Sequence, residues 1–189
     1  MLLAWLGLAL AEPAAPSAAA GFTPRALVGH AVFDLRGGAS SGPTGPGAMI
    51  CAEVAPHPNV AIEACGTGGG FLYPEVGDEM MHVRAEASVP LARRGRGELW
   101  FQPGLGMAEL QRGEDEPGFR FVPARASNQR DGAGLEASLS VKGRWWVGDW
   151  AYLVGEVSTG AAWIEAAPVI LEQESTVVPF VTATAGFGF

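Results

Sequence analysis

From Gly29 to the last residue, apolar and polar side chains alternate with a period of two in eight separate stretches. Successive side chains of a pleated strand point to opposite faces, so this spacing predicts strands with one apolar side. The stretches are His30–Gly38, Ala48–Ala55, Val60–Gly70, Glu79–Ala92, Glu98–Leu110, Leu135–Val147, Trp150–Glu165 and Thr176–Phe189. In the sixth, Leu135, Ala137, Leu139, Val141 and Trp145 share one parity, and Glu136, Ser138, Ser140, Lys142 and Arg144 the other. In the fourth, Met81, Val83, Ala85, Ala87, Val89 and Leu91 oppose His82, Arg84, Glu86 and Ser88. The first sets Ala31, Phe33 and Leu35 against His30, Asp34 and Arg36. The second and third set Ile50, Ala52, Val54, Ile62 and Ala64 against Cys51, Glu53, Glu63 and Cys65. The seventh sets Leu153, Val157, Ala161 and Trp163 against Tyr152, Glu156 and Ser158. In the last, Val181, Ala183, Ala185, Phe187 and Phe189 oppose Thr182, Thr184, Gly186 and Gly188, so the pattern reaches the final residue.

The connections alternate in length. Pro56–Asn59, Arg93–Gly97 and Gly148–Asp149 are short; Ala39–Gly47, Phe71–Asp78, Gln111–Gly134 and Ala166–Ser175 are longer. Tight turns at one end and longer loops at the other are the habit of an up-and-down transmembrane barrel. Alternation alone also fits a soluble barrel or sandwich, in which the apolar face is the core and the polar face meets water. Two features favour lipid. The apolar faces are rich in Ala and Val, with few large residues to interdigitate in a core. Aromatics gather near strand ends: Trp145, Trp146, Trp150, Phe187 and Phe189 towards the tight turns, Phe71, Tyr73 and Trp163 towards the longer loops. That distribution suggests two interfacial girdles. Three prolines oppose a closed barrel, since a proline removes a ladder donor. Pro90 and Pro179 lie near strand ends, whereas Pro103 is mid-strand and predicts a bulge or a break.

Composition narrows the classes. Of 189 residues, 17% are charged and 27 are glycine, which suits short strands joined by turns better than a helical domain. A formal net charge of −8 and the lack of a basic stripe argue against a nucleic-acid partner. The apolar run Leu2–Leu10 is followed by the small-x-small sites Ala9-Leu10-Ala11 and Ala18-Ala19-Ala20. The expectation is therefore a signal peptide over residues 1–20, cleaved after Ala11 or Ala20, and one barrel domain over 21–189. The run is too short to span a bilayer as a helix.

If the apolar faces meet lipid, the other parity builds a charged lumen from Asp34, Arg36, Glu53, Glu63, Arg84, Glu86, Glu136, Lys142, Arg144 and Glu156, with His30 and His82. Eight strands enclose little more than the width of side chains, so opposite charges there are expected to pair. The bland reading is a structural filling; the sharper ones are a proton path, a gate or a narrow, porin-like pore. Cys51 and Cys65 stand symmetrically about Pro58 and face each other across a hairpin. An even count in an exported chain favours a disulfide. Two free inward thiols, or a metal or redox pair near His57, are the alternatives, although two thiols are too few for zinc. The Gln111–Gly134 segment, with Phe119 and Phe121 among mixed charges, reads as an external loop and an adhesion or ligand surface. No metal-loop spacing occurs in it, and no cofactor is expected.

The alternating run Val181, Ala183, Ala185, Phe187 and terminal Phe189 resembles the C-terminal signal of bacterial outer-membrane barrel proteins. Joined to the eight alternating segments, it makes the pattern over Gly29–Phe189 similar to the small OmpA-, OmpX- or OmpW-type barrels of Gram-negative bacteria. The resemblance implies an all-β, eight-stranded antiparallel up-and-down transmembrane barrel in the outer membrane. It also implies outer-membrane lipid as environment and recognition of the last strand by the barrel-assembly machinery. The expected role is structural or surface-interacting through external loops. The alternative is a soluble secreted, lipocalin-like barrel holding a small apolar ligand. A lipid A-modifying hydrolase is a third reading. It needs a Ser nucleophile, a His base and a carboxylate, for which His82, Ser88 and Glu86, or Ser138, Ser140, Ser158 and His30, are the raw material. His82 and Ser88 lie too far apart along one strand to touch. The chain is read as non-enzymatic.

Overall fold

The computed structural model describes residues 32–42, 45–66, 78–112, 121 and 131–189. The expected signal peptide, His30, Ala31, Phe71, Tyr73 and Phe119 lie outside the described residues. The chain forms β1 (Val32–Gly42), β2 (Gly45–His57), β3 (Val60–Gly66), β4 (Asp78–Ala87), β5 (Val89–Arg94), β6 (Gly97–Arg112), β7 (Asp131–Trp146), β8 (Tyr152–Trp163), helix α1 (Ala167–Ile170) and β9 (Val177–Gly188). Every pairing is antiparallel, in the order β4-β3-β2-β1-β9-β8-β7-β6-β5, and β4 also pairs with β6. That last pairing closes the sheet. β4 and β5 are two parts of one wall strand, interrupted at Ser88, so the barrel has eight staves. The chain end is bound into this closure: Phe189 N–H donates to Phe33 O (2.9 Å) and Phe33 N–H to Phe189 O (3.0 Å).

The first connection is a correction to the sequence reading. Ala39–Gly47 is not a long loop: β1 and β2 continue through most of it, paired as far as Gly42 with Gly45. Gly38 allows β1 to continue there, because a Cβ at this position would sit 2.0 Å from Ala183 O on β9. Pro103 carries no bulge. Its pairing with Leu139 belongs to an unbroken β6–β7 register. The ladder lapses on its other side, at the β4–β5 junction. The register there is identical before and after the gap, Glu86 with Gly104 and Val89 with Phe101, so no residue is inserted. A proline lacks a donor, and that lapse lets the strand accommodate it. A register shift does occur between Pro90 and Ala92. Pro179 lies beyond the β1–β9 pairing, which ends at Ser41 with Val181.

The sidedness is that of a membrane barrel. Leu139, Val157, Ile62, Leu105 and Leu153 are 51%, 58%, 54%, 71% and 55% exposed, whereas Arg36, Glu63 and Lys142 are at most 1% exposed. A soluble, lipocalin-like barrel requires the reverse. No described helix is long and apolar enough to cross a membrane. Outward aromatics Trp145, Trp150, Phe187 and Phe189 mark the tight-turn end, and Trp163 the loop end. Trp146 departs from the girdle expectation. It shares the parity of Lys142 and Arg144 and is buried in the lumen against Tyr152, with ring centroids 4.9 Å apart.

Candidate functional site

The lumen is filled in three tiers. The tight-turn end is closed by Val32, Ala55, Ala61, Trp146, Tyr152 and Val154. Gly188 makes room for that tier, since its Cβ would fall 2.2 Å from the Tyr152 ring. Arg144 bridges this tier to the next, with its guanidinium 5.2 Å from the Tyr152 ring centroid and 5.9 Å from that of Trp100.

The middle tier is a column of ion pairs. Arg36 is its hub: Nε donates to Asp34 Oδ1 (2.8 Å), Nη2 to Glu53 Oε2 (3.3 Å), and the remaining donors reach Glu63 and Glu156. Arg84 is a second hub, with Nε 3.0 Å from Glu86 Oε1, Nη1 donating to Glu136 Oε1 (3.3 Å), and Nη2 to Glu156 and Ser158 (both 3.3 Å). Arg84 also pairs with Glu63. Lys142 bridges Glu53 and Glu156, the latter at 3.0 Å, and Arg144 donates to Glu53 (3.2 Å). Tyr152 Oη donates to Asp34 Oδ2 at 3.4 Å. The barrel brings these residues together from six staves by placing the same parity inwards on each. Six carboxylates thus face three arginines and one lysine, a charge-dense cluster shielded from water behind an apolar wall.

The carboxylates of Glu53, Glu63, Glu86 and Glu156 converge within 4.8 Å of one another and, among the described residues, offer an all-oxygen donor set that suits a hard cation. Arg36, Arg84 and Lys142 already occupy the charge-balancing positions around them. Cys51 and Cys65 are bonded to each other inside the lumen, beside Met49. The thiol-metal alternative therefore has no thiolates to use. His57 lies exposed on the turn, where its Nδ1 accepts from Asn59 N–H (3.2 Å).

Among the described residues, the hydrolase candidates are not assembled into one constellation. His82 Nδ1 bonds Glu136, and its ring lies 4.4 Å from that of Phe180. Ser88 Oγ accepts from Gln102 Nε2 (2.9 Å), and Glu86 pairs with Arg84. Ser140 donates to Gln102 O (3.2 Å), and Ser158 shares a bond with Thr182 (2.9 Å).

The third tier went unread in the sequence. At the loop end Met80, Ala108, Leu110, Ala162, Ile164, Val178 and Phe180 turn inwards and meet Ala166, Ala167 and Ile170. The segment expected as a long loop thus folds into the mouth as α1. Gly132 provides the clearance: a Cβ there would lie 2.7 Å from Ala166 Cβ. Arg112 Nη1 fixes the helix from outside, donating to Ile170 O and to Glu172 Oε1, both at 2.9 Å. The only signal was that the inward parity itself turns apolar, at Ala108 and Leu110 and again at Ala162 and Ile164. Phe121, from the segment expected to be an external loop, donates its N–H to Glu109. Val181, Ala183, Ala185, Phe187 and Phe189 all face outwards on β9.

No family model matches the chain. No curated protein matches it either. Among solved structures it is similar to Neisserial surface protein A, with a TM-score of 0.52 at 11% identity over 84% of this chain and 94% of that one. It is also matched to the N-terminal β-barrel domain of Pseudomonas aeruginosa OprF, with a TM-score of 0.45 at 8% identity over 84% of this chain and 97% of that one. The first likeness carries the fold alone, an eight-stranded antiparallel barrel.

Proposed function

We propose that the chain is a bacterial outer-membrane barrel whose role is structural or surface-interacting, with any binding carried by the segments at its loop end. The observation that carries this reading is the inverted sidedness: Leu139 and Val157 look out while Arg36 and Lys142 are sealed in. A lumen occupied by an aromatic floor, an ion-paired column and an apolar cap supports a rigid stake in the membrane rather than the pore reading. Val181, Ala183, Ala185, Phe187 and Phe189 form the outward face that the barrel-assembly machinery would read during insertion. The test is fractionation of the expressed protein together with its gel migration before and after boiling in detergent. Sedimentation with outer membranes and a boiling-dependent shift are expected. A periplasmically soluble protein that migrates identically in both states would overturn the proposal.

A further inference from the structure

The lipid-facing wall contains an open groove that the fold does not demand. Leu99, Gly143, Gly155 and Ala185 lie side by side on β6, β7, β8 and β9. Above this shallow floor opens a groove of about 860 Å³, walled by Trp145 and Leu153 and rimmed by the Arg94–Gly97 turn. The two glycines of the floor differ from those facing inwards. A Cβ on Gly106 would lie 2.1 Å from Val83 O, and one on Gly134 1.7 Å from Trp163 O, so close strand approach requires glycine at both positions. A Cβ on Gly143 would meet nothing nearer than Gly155 O at 4.0 Å, and one on Gly155 nothing nearer than Thr184 O at 3.9 Å. Glycine within a strand weakens it. What Gly143 and Gly155 give in return is an open trough beside Trp145 and Leu153 on the outer wall.

The groove also has polarity. Its rim bears Arg94 and Arg96, both exposed, at the end where Trp145, Trp150 and Phe187 mark the bilayer interface. Arg93, on the same turn, pairs with Glu98 at 3.4 Å. Cations at headgroup depth above an apolar trough at acyl depth complement one class of molecule. We propose that this groove seats an acyl chain of an anionic phospholipid from the tight-turn leaflet, with the lipid phosphate held at Arg94 and Arg96. The inference rests on the membrane reading above.

The test uses the full chain folded in detergent micelles and doped with palmitoyl-oleoyl phosphatidylglycerol or phosphatidylcholine, with retained lipid counted by native mass spectrometry. The wild type is expected to retain phosphatidylglycerol in preference to phosphatidylcholine. Gly143→Leu/Gly155→Leu fills the trough and should weaken retention at least about tenfold. Arg94→Ala/Arg96→Ala should weaken it about twenty-fivefold, about fivefold for each interfacial cation. Both arginines lie on an exposed turn, so that variant decides the matter even if the leucine pair does not fold. Equal retention of the two lipids by the wild type, or undiminished phosphatidylglycerol in the arginine variant, would overturn the proposal. Failure of the membrane reading is separately visible, as absence of a boiling-dependent gel shift in the same micelles.

Discussion

Arg36→Met removes the hub of the lumen column while keeping much of its volume. Among the described residues, Arg36 is the one cation within ion-pairing distance of Asp34, and it also serves Glu53, Glu63 and Glu156. Glu63 retains Arg84, Glu53 retains Lys142 and Arg144, and Glu156 retains Arg84 and Lys142, so the damage centres on Asp34. Without its guanidinium, Asp34 keeps only the Tyr152 hydroxyl at 3.4 Å and lies 1% exposed. Breaking one partner from a buried ion pair costs about 3–5 kcal/mol, because the remaining charge stays desolvated. The expected loss for Arg36→Met lies in that range, read from urea unfolding in lipid vesicles by tryptophan fluorescence and gel shift. Adding Asp34→Asn should restore at least about 1 kcal/mol, a non-additivity that marks direct coupling. Glu172→Gln is the control, since its partner Arg112 is surface-exposed, and it should change stability by less than about 1 kcal/mol. A loss below about 1 kcal/mol for Arg36→Met would refute the view that the column is water-excluded and mutually dependent.

Gly134→Ala should prevent barrel closure, seen as loss of the compact gel form, whereas Gly155→Ala should fold normally, because only the former drives a Cβ into a neighbouring carbonyl. Ile170→Ala should cost about 2–5 kcal/mol in the same urea titration, since Ile170 is 1% exposed within the apolar cap. Replacing both cysteines, Cys51→Ala/Cys65→Ala, should lower stability by about 2–3 kcal/mol on the loop-closure model for their sequence separation of 14. The unreduced wild type should show no thiol reactive to a maleimide even when denatured.

What was legible in the sequence was the two-sided strand. Leu135–Lys142 alternates without a lapse, so parity alone separated Leu139 from Lys142. The same rule placed Asp34, Arg36, Glu53, Glu63, Arg84, Glu86, Glu136 and Glu156 on the lumen side. Pairing was not legible, because barrel stagger decides it: Arg36 reaches Glu63 two strands away on one side and Glu156 two strands away on the other. The apolar cap was invisible for a different reason. Ala108, Leu110 and Ile164 are apolar residues on the parity that elsewhere carries the charges, and only closure of the barrel shows that they meet one another inside. Its place near a strand end makes Trp146 an interfacial aromatic, whereas its even parity with Lys142 and Arg144 is the better guide. Pro103 predicts a bulge or break in its own strand, whereas the lapse falls on the strand that would have accepted its missing donor.

The most direct test of the inverted barrel is collision accessibility of nitroxide labels placed singly at Ile62, Leu139 and Val157, in the cysteine-free background, after refolding into vesicles. These side chains are 54%, 51% and 58% exposed on three different strands. If they face acyl chains, every label will collide readily with oxygen and hardly at all with a water-soluble nickel chelate. Labels that are immobile and shielded from both quenchers, or that favour the chelate, would contradict the account.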